Sequence, residues 1–289
     1  VDIEDASTST LLDNFGLYDD GYNYRFFRTP IAIAETVLDI VIEAVKLGEF
    51  SLVIIDSVAA LIPQSEYNKN LDDSEQIGEK AKLVQRFIQK INPILGATKT
   101  TMVLINQLRT NIKLAQINPH VNPMKSTGGK AVEYFPSFKV TLQTKSAGKD
   151  KRYFDDIGVK LAEPVKCIVG KNKLARTCDF GRPSTLRLGF GFDPIYDLID
   201  LAELAYQIKY RGSWIYLNED TKYQGTVKLY DALLNDDKVR NALIDSTLPL
   251  VGIQDVEFYR PVFDDFISRK KSKYDSKLIN FSINVDTDE

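Results

Sequence analysis

Two short apolar runs constrain this chain more than any other feature. Leu52-Val53-Ile54-Ile55 and Thr101-Met102-Val103-Leu104-Ile105 are nearly continuous in apolar side chains, and runs of that length without polar alternation mark strands buried on both faces of a parallel sheet. Each run stops at a polar residue, Asp56-Ser57 after the first and Asn106-Gln107 after the second. Between them Glu79 to Leu95 has helical spacing through Leu83, Phe87, Ile88 and Ile91. Ahead of them residues 30 to 48 predict another amphipathic helix, with Thr29 as N-cap, Pro30 at the first helical position and Ile33, Val37, Ile40, Val41, Ala44 and Val45 on one face. The chain starts on Val1-Asp2-Ile3-Glu4-Asp5-Ala6, which reads as the end of a further strand delivering acidic residues into a loop, and is taken as a truncated start. Strand, helix, strand with an acid or amide at each C-terminal strand edge is how open α/β sheets build ligand sites.

The 289 residues suit one large α/β domain and a smaller appended one. From about Asp197 the pattern becomes that of a small α/β module: a helix over Leu198 to Ile208, a turn at Gly212, a strand at Trp214-Ile215-Tyr216 and helices near 226–234 and 239–246. The organisation expected is therefore residues 1–195, 196–268, and a charged mobile tail at 269–289. Phe138 to Leu142, Val159 to Val169 and Thr185 to Phe190 read as added antiparallel strands. No apolar run approaches the roughly 18 residues of a membrane span. Two cysteines, Cys167 and Cys178, cannot staple a chain of this size, so a reducing, cytoplasmic location is expected. A single histidine, His120, leaves no way to build a His/Cys zinc cluster. Cys167 and Trp214 are expected to pack in cores.

The net charge of −3 conceals a strong asymmetry. Between Arg109 and Arg152 nine basic residues face only Glu133 and Asp150, a local charge of +7. Such a segment is the footprint of a polyanion site, although a solvated charged face has the same composition. Its first half, Arg109 to Thr127, has no period, two prolines (Pro119 and Pro123) and three asparagines, and closes on Gly128-Gly129. A loop of about twenty residues inside a compact domain is usually functional or disordered. At the sheet edge, Asp56 fits a carboxylate that holds Mg²⁺ on nucleotide phosphates, and equally a strand-end turn or helix cap. Glu4 fits a group that polarises water, and Gln107 an amide that senses a phosphate.

Taken together, Leu52–Leu61, Leu104-Ile105-Asn106-Gln107-Leu108-Arg109, Ser126-Thr127-Gly128-Gly129-Lys130-Ala131 and Val169-Gly170-Lys171-Asn172-Lys173 resemble the RecA family of homologous-recombination ATPases over roughly residues 1 to 215. The module carrying Gly212-Ser213-Trp214 is similar, more loosely, to that family's small C-terminal domain. The resemblance implies an incomplete RecA-like P-loop NTPase core, a mostly parallel sheet flanked by helices, followed by a small α/β domain. It implies ATP and Mg²⁺ as cofactors, single- and double-stranded DNA as partners, self-association into a helical filament, and loading and single-strand-binding proteins as further partners. By the same resemblance Glu4 activates water, Asp56 with Ser57 serves the metal and nucleotide, Gln107 couples the γ-phosphate to DNA binding, and Lys171 and Lys173 act across a subunit interface. The stretch from Gln64 to Gly78, with Lys82 in the next helix, corresponds to the first DNA-binding loop. The second runs from Arg109 to Gly129, with Lys113, Lys125, Gly128, Gly129 and Lys130 as its DNA contacts.

Three departures stand out. Ser7-Thr8-Ser9-Thr10 lacks the family's adenine-stacking tyrosine, the second loop is several residues longer, and no G-x-x-x-x-G-K-[ST] occurs in the sequence. Two other readings share the fold: a ring helicase or other motor, and a non-enzymatic DNA-binding module without a phosphate loop. The Gly128-Gly129 loop ending and the Lys171-Asn172-Lys173 pair favour the recombinase over the helicase.

Overall fold

The computed structural model describes residues 1–7, 12, 17, 24–28, 33–70, 78–110, 124–126, 129–148, 151–154, 160–175 and 183–283. The chain divides into two compact units, Val1–Lys139 and Val140–Glu289.

In the first unit, helix α1 (Ala34–Lys46) buries Ala34, Val37, Leu38, Val41, Ile42 and Val45, the i, i+3, i+4 stripe of an amphipathic helix. Thr29 and Pro30 lie outside the described residues; the helix is described from Ala34, after an extended Ile33, and no side chain caps it there. The reason lies in the backbone: Ile33 bridges to Ile62, and the Ala34 N–H donates to the Ile62 carbonyl at 2.8 Å, so one of the orphan donors of the first turn is satisfied by a distant segment. The helix stops at Gly48, whose φ of 71° ends the helical path. Strand β1 (Leu52–Ile55) pairs in parallel with β2 (Thr101–Leu104), Leu52 opposite Thr101 and Ile55 opposite Leu104. Between them runs α2 (Glu79–Thr98), which turns Val84, Phe87, Ile88 and Ile91 into the core with α1 and Ile55.

The two strands are not buried on both faces as their apolar runs predict. Leu52 is 51% exposed, Ile54 40% and Val103 41%, because the core side is closed by α1 and α2 and, among the described residues, the opposite side of β1 and β2 is not. Nor is the architecture mostly parallel. Apart from β1–β2 and isolated bridges, the registers are antiparallel: β3 (Leu108–Thr110) with β4 (Met124–Ser126), β6 (Ala162–Asn172) with β7 (Ser184–Arg187), and β7 with β8 (Gly191–Phe192). Strand β5 (Phe138–Thr144) is next to β6 in a four-stranded sheet ordered β5-β6-β7-β8.

The second unit packs α4 (Pro194–Leu204), α5 (Gly225–Asn235), α6 (Asp237–Thr247) and α7 (Val256–Ile283) around Ile195, Leu198, Ile199, Leu229, Leu233, Ile244 and Phe266; the label α3 belongs to the one-turn helix Ala131–Tyr134 of the first unit. Residues 269–283, assigned to a charged tail on composition, continue α7, and the Arg269 guanidinium donates to the Phe190 carbonyl at 2.9 Å. The three-stranded antiparallel sheet β9 (Lys209–Arg211), β10 (Trp214–Tyr216) and β11 (Lys222–Gln224) contributes Ile215 to this core. Trp214 is on the other face, 37% exposed, with the Lys222 ammonium 5.0 Å from its ring centroid, instead of in the core. Cys167 is also exposed instead of buried: among the described residues β7 pairs with β6 over residues 162–165, and Cys167 lies beyond that stretch.

A buried polar cluster organises this unit. Asp193 is fully buried, caps α4 by accepting from the Ile195 and Tyr196 N–H groups, and takes Arg187 Nε at 3.0 Å and the Tyr230 hydroxyl at 2.8 Å. Lys270 Nζ donates to the same hydroxyl at 2.6 Å. A buried charge needs such partners to persist.

Candidate functional site: a carboxylate edge joined to two loops

Residues 1–3 extend the parallel arrangement beside β1. Asp2 bridges to Asp56 and to Arg28, the Ile3 N–H donates to the Asp56 carbonyl at 2.6 Å, and the Asp56 N–H to the Val1 carbonyl at 2.9 Å. This pairing sets Glu4 at the same sheet edge as Asp56-Ser57, whose peptide bond is cis. The Ser57 hydroxyl donates to Glu4 Oε1, and Gln107 Nε2 donates to the same oxygen at 3.0 Å. Three of the sequence-predicted residues therefore meet at one atom, and Asp56 adjoins them.

The site is electrostatically negative. Asp56 is held above the usual carboxylate range, first by partial burial, then by the charges of Glu4 and Asp2. Asp2 is 4% exposed; its Oδ2 accepts from the Ser7 N–H, while its buried Oδ1 finds no hydrogen-bond partner among the described residues. Sequence reading passed over Asp2; its alternation with Glu4 was the available signal, since neighbours two apart in a strand share a face. Among the described residues no group of three or more acidic, His or Cys side chains forms a ready cation cage. Mg²⁺ is commonly held by one or two carboxylates and completed by water and substrate phosphates. Asp56, raised by partial burial and then by neighbouring negative charge, fits that partial role, and the sequence supplies no Walker-type phosphate loop to complete it.

Gln107 stands directly before β3, and β3 with β4 forms the base of the basic loop, Leu108 opposite Ser126 and Arg109 opposite Lys125. Lys113 and Gly128 lie outside the described residues, as do His120 and Cys178. The loop's exit is fixed by close contact. Gly129 has φ 72°, and a Cβ placed on it would stand 2.8 Å from the Cβ of Ala81 in the first turn of α2. Only glycine fits a left-handed backbone pressed on a neighbour in this way. The first loop exits at Gly78, also left-handed at φ 92°, directly before α2. Gly78, Lys82, Gly129 and Lys130 are thereby gathered around one helix start, with Lys82 and Lys130 exposed. Lys80, which sequence reading missed, sends its ammonium to the Ala59 carbonyl at 2.8 Å. Lys171 and Lys173 belong to the second unit, at the end of β6 and in the bend after it, where Asn172 Oδ1 accepts from the Leu174 and Ala175 N–H groups. Cys167 is no activated nucleophile, because partial burial and the Asp197 carboxylate hold its thiol above the ordinary value. Among the described residues no helix is long and apolar enough to cross a membrane.

An α/β unit with carboxylates and an amide at one sheet edge, and with loops leaving from that edge, has the arrangement in which open α/β sheets build ligand sites. Comparison with known proteins narrows the class: the RecA N-terminal domain profile matches residues 28–182. The RecA protein of Ureaplasma parvum serovar 3 is 32% identical over 257 residues, covering 86% of this chain and 72% of the relative. That of Thermus thermophilus is 32% identical over 201 residues, and that of Arthrospira platensis 33% over 194; the matched regions span 55% and 49% of those two relatives. The chain belongs to the RecA family.

Proposed function

We propose that this chain acts as a DNA-dependent ATPase of the strand-exchange type, in recombination and repair. The full protein polymerises on single-stranded DNA with ATP and Mg²⁺ at subunit interfaces and pairs that strand with homologous duplex. The observation that carries this reading is the Gln107–Glu4 hydrogen bond, since it ties the base of the basic loop to the carboxylate edge. In that reading Glu4 orients water, Asp56 and Ser57 serve the metal, and Lys171 and Lys173 act on a neighbour's nucleotide. A cytoplasmic location goes with it, as do loading and single-strand-binding partners.

The given sequence holds no G-x-x-x-x-G-K-[ST] motif to cradle a β-phosphate, so this chain by itself turns over ATP negligibly, and measurable DNA-stimulated hydrolysis by it would refute that. The DNA assignment is tested by fluorescence anisotropy with a labelled single-stranded oligonucleotide over a salt series. Affinity should fall steeply with salt, because counterion release drives non-specific binding. Salt-independent binding, or no loss on changing Arg109 and Lys125 together to alanine, would sink the assignment.

A further inference from the structure

The contacts around the first turn of α2 close a ring. Ser57 and Gln107 both donate to Glu4 Oε1. From Gln107 the chain enters β3, returns on β4 and passes through Gly129, which presses on Ala81. The residue before Ala81 is Lys80, whose ammonium holds the Ala59 carbonyl at 2.8 Å. Ala59 is buried in the single 3₁₀ turn Val58–Ala60, for which Ser57 is the N-cap, and Ser57 leads back to Glu4.

We infer that Lys80 is a positioning residue that fixes the exits of both loops relative to the carboxylate edge. The inference rests on the DNA-dependent reading above for its consequence but not for its geometry. A one-turn helix leaves its last carbonyls without intrahelical partners, and an ammonium is a strong donor for one of them. With Lys80 anchored to Ala59, the start of α2 cannot drift from the Asp56-Ser57 edge, and Gly129, packed on Ala81, is held with it. Lys82, two residues on, is exposed and free of this duty. The two lysines thus divide the labour: Lys82 faces the polyanion, and Lys80 holds the frame. A ligand at Glu4 and a strand on the loops then act on one rigid bracket through two independent arms, Gln107 on the entry side and Lys80 on the exit side.

The test uses the full 289-residue chain with Lys80→Met and Lys80→Arg. Amide hydrogen exchange is read at Tyr134 and Phe135, whose N–H groups donate to the Lys130 and Ala131 carbonyls, and along α1 as the internal reference. Lys80→Met should accelerate exchange at residues 133–135 by about five-fold, the loss of one hydrogen bond's worth of local stability. It should leave α1 unchanged, and Lys80→Arg should restore protection. No change at 133–135, or equal acceleration in α1, overturns the inference. Binding to a labelled oligo(dT) across a salt series is the second readout. Lys80→Met should weaken affinity about five-fold with the same salt slope, whereas Lys82→Met should reduce the slope. A slope reduced by about 0.7 in Lys80→Met would make Lys80 a direct phosphate contact and overturn the positioning role. Failure of the unmodified chain to bind the oligonucleotide would defeat the DNA reading, while the exchange result would still decide the role of Lys80.

Discussion

Gly129→Ala should damage the first unit more than the same exchange at Gly48, Gly78 or Gly96. Two terms add. The backbone stands at φ 72°, where an L side chain meets the following carbonyl and costs roughly 1–2 kcal/mol. The new Cβ would also lie 2.8 Å from the Ala81 Cβ and 3.7 Å from its Cα. Separating those atoms means moving loop or helix backbone, since neither methyl can rotate away, and forced repacking of that kind costs about 1–3 kcal/mol. Together they give about 2–5 kcal/mol. Trp214, the sole tryptophan, is in the second unit, so its fluorescence does not report the loss. Hydrogen exchange of the α2 amides of the buried residues Phe87, Ile88 and Ile91 does. With tenfold per 1.4 kcal/mol, amides that exchange by global opening of the unit should speed up by about 30- to 4,000-fold. Adding Ala81→Gly removes the clash and leaves the dihedral term. The double variant should therefore be about 1–3 kcal/mol more stable than the sum of the single effects predicts, despite glycine's own helix penalty of about 1 kcal/mol. Exchange slowed or accelerated by less than threefold in Gly129→Ala, or strict additivity in the cycle, would refute the claim that close packing on Ala81 fixes the loop exit.

Lys270 provides a pH-dependent prediction. Burial, and then the charge of Arg187, push its ammonium down to about 8, against the favourable charges of Asp193 and Asp231. Its folded pKa is below the unfolded one, so from pH 8 upward the unfolded chain binds more protons and stability rises with pH by at most about 1.4 kcal/mol per unit. Tyr230 is raised by burial and by Asp193 and opposes this only above its unfolded value of about 10. Comparing Lys270→Met with the parent by urea unfolding on Trp214 fluorescence cancels the other groups, and the variant's relative advantage should shrink from pH 8 to 10. A constant difference over that range would rule out a charge-burial origin. Glu4→Gln should lower the Asp56 midpoint, because it removes one of the two carboxylates that add to the effect of burial. A carboxyl-detected NMR titration reads this directly, and an unmoved midpoint would mean the Glu4 charge does not act on Asp56.

What the sequence disclosed and what it withheld divide along physical lines. Apolar runs ending in Asp56 and Gln107 announce a sheet edge, since strand termini carry polar residues into the same solvent-facing margin. The convergence of Glu4, Ser57 and Gln107 on one oxygen spans up to 103 positions and leaves no local trace. The start of α1 depends on a similar long-range contact: the Ala34 N–H donates to the Ile62 carbonyl, a partner that no local capping signal announces. Trp214 was legible and overlooked, because period-two alternation around Ile215 sends both Trp214 and Tyr216 to the opposite face. Lys80 was not legible. Its spacing suits an exposed helix start as well as its neighbour Lys82 does, and only the fold shows which of the two meets a carbonyl.

The energy available to the entry arm of the bracket sets how strongly the two ends of this unit can speak to each other. Gln107 to Glu4 is one hydrogen bond to a carboxylate, and bonds of that kind contribute about 1.5–3 kcal/mol. A ligand that competes for Glu4 Oε1 can shift the β3–β4 hairpin base by no more than this, a change of about ten- to a hundred-fold in its population. That suffices to switch a loop between two arrangements of similar energy, and not to fold one that is otherwise unstable. The exit side must therefore already be set, which is what Gly129 on Ala81 and Lys80 on Ala59 accomplish. A loop fixed at one end and ligand-sensitive at the other needs to reorganise only its entry strand, and one hydrogen bond is enough to do it.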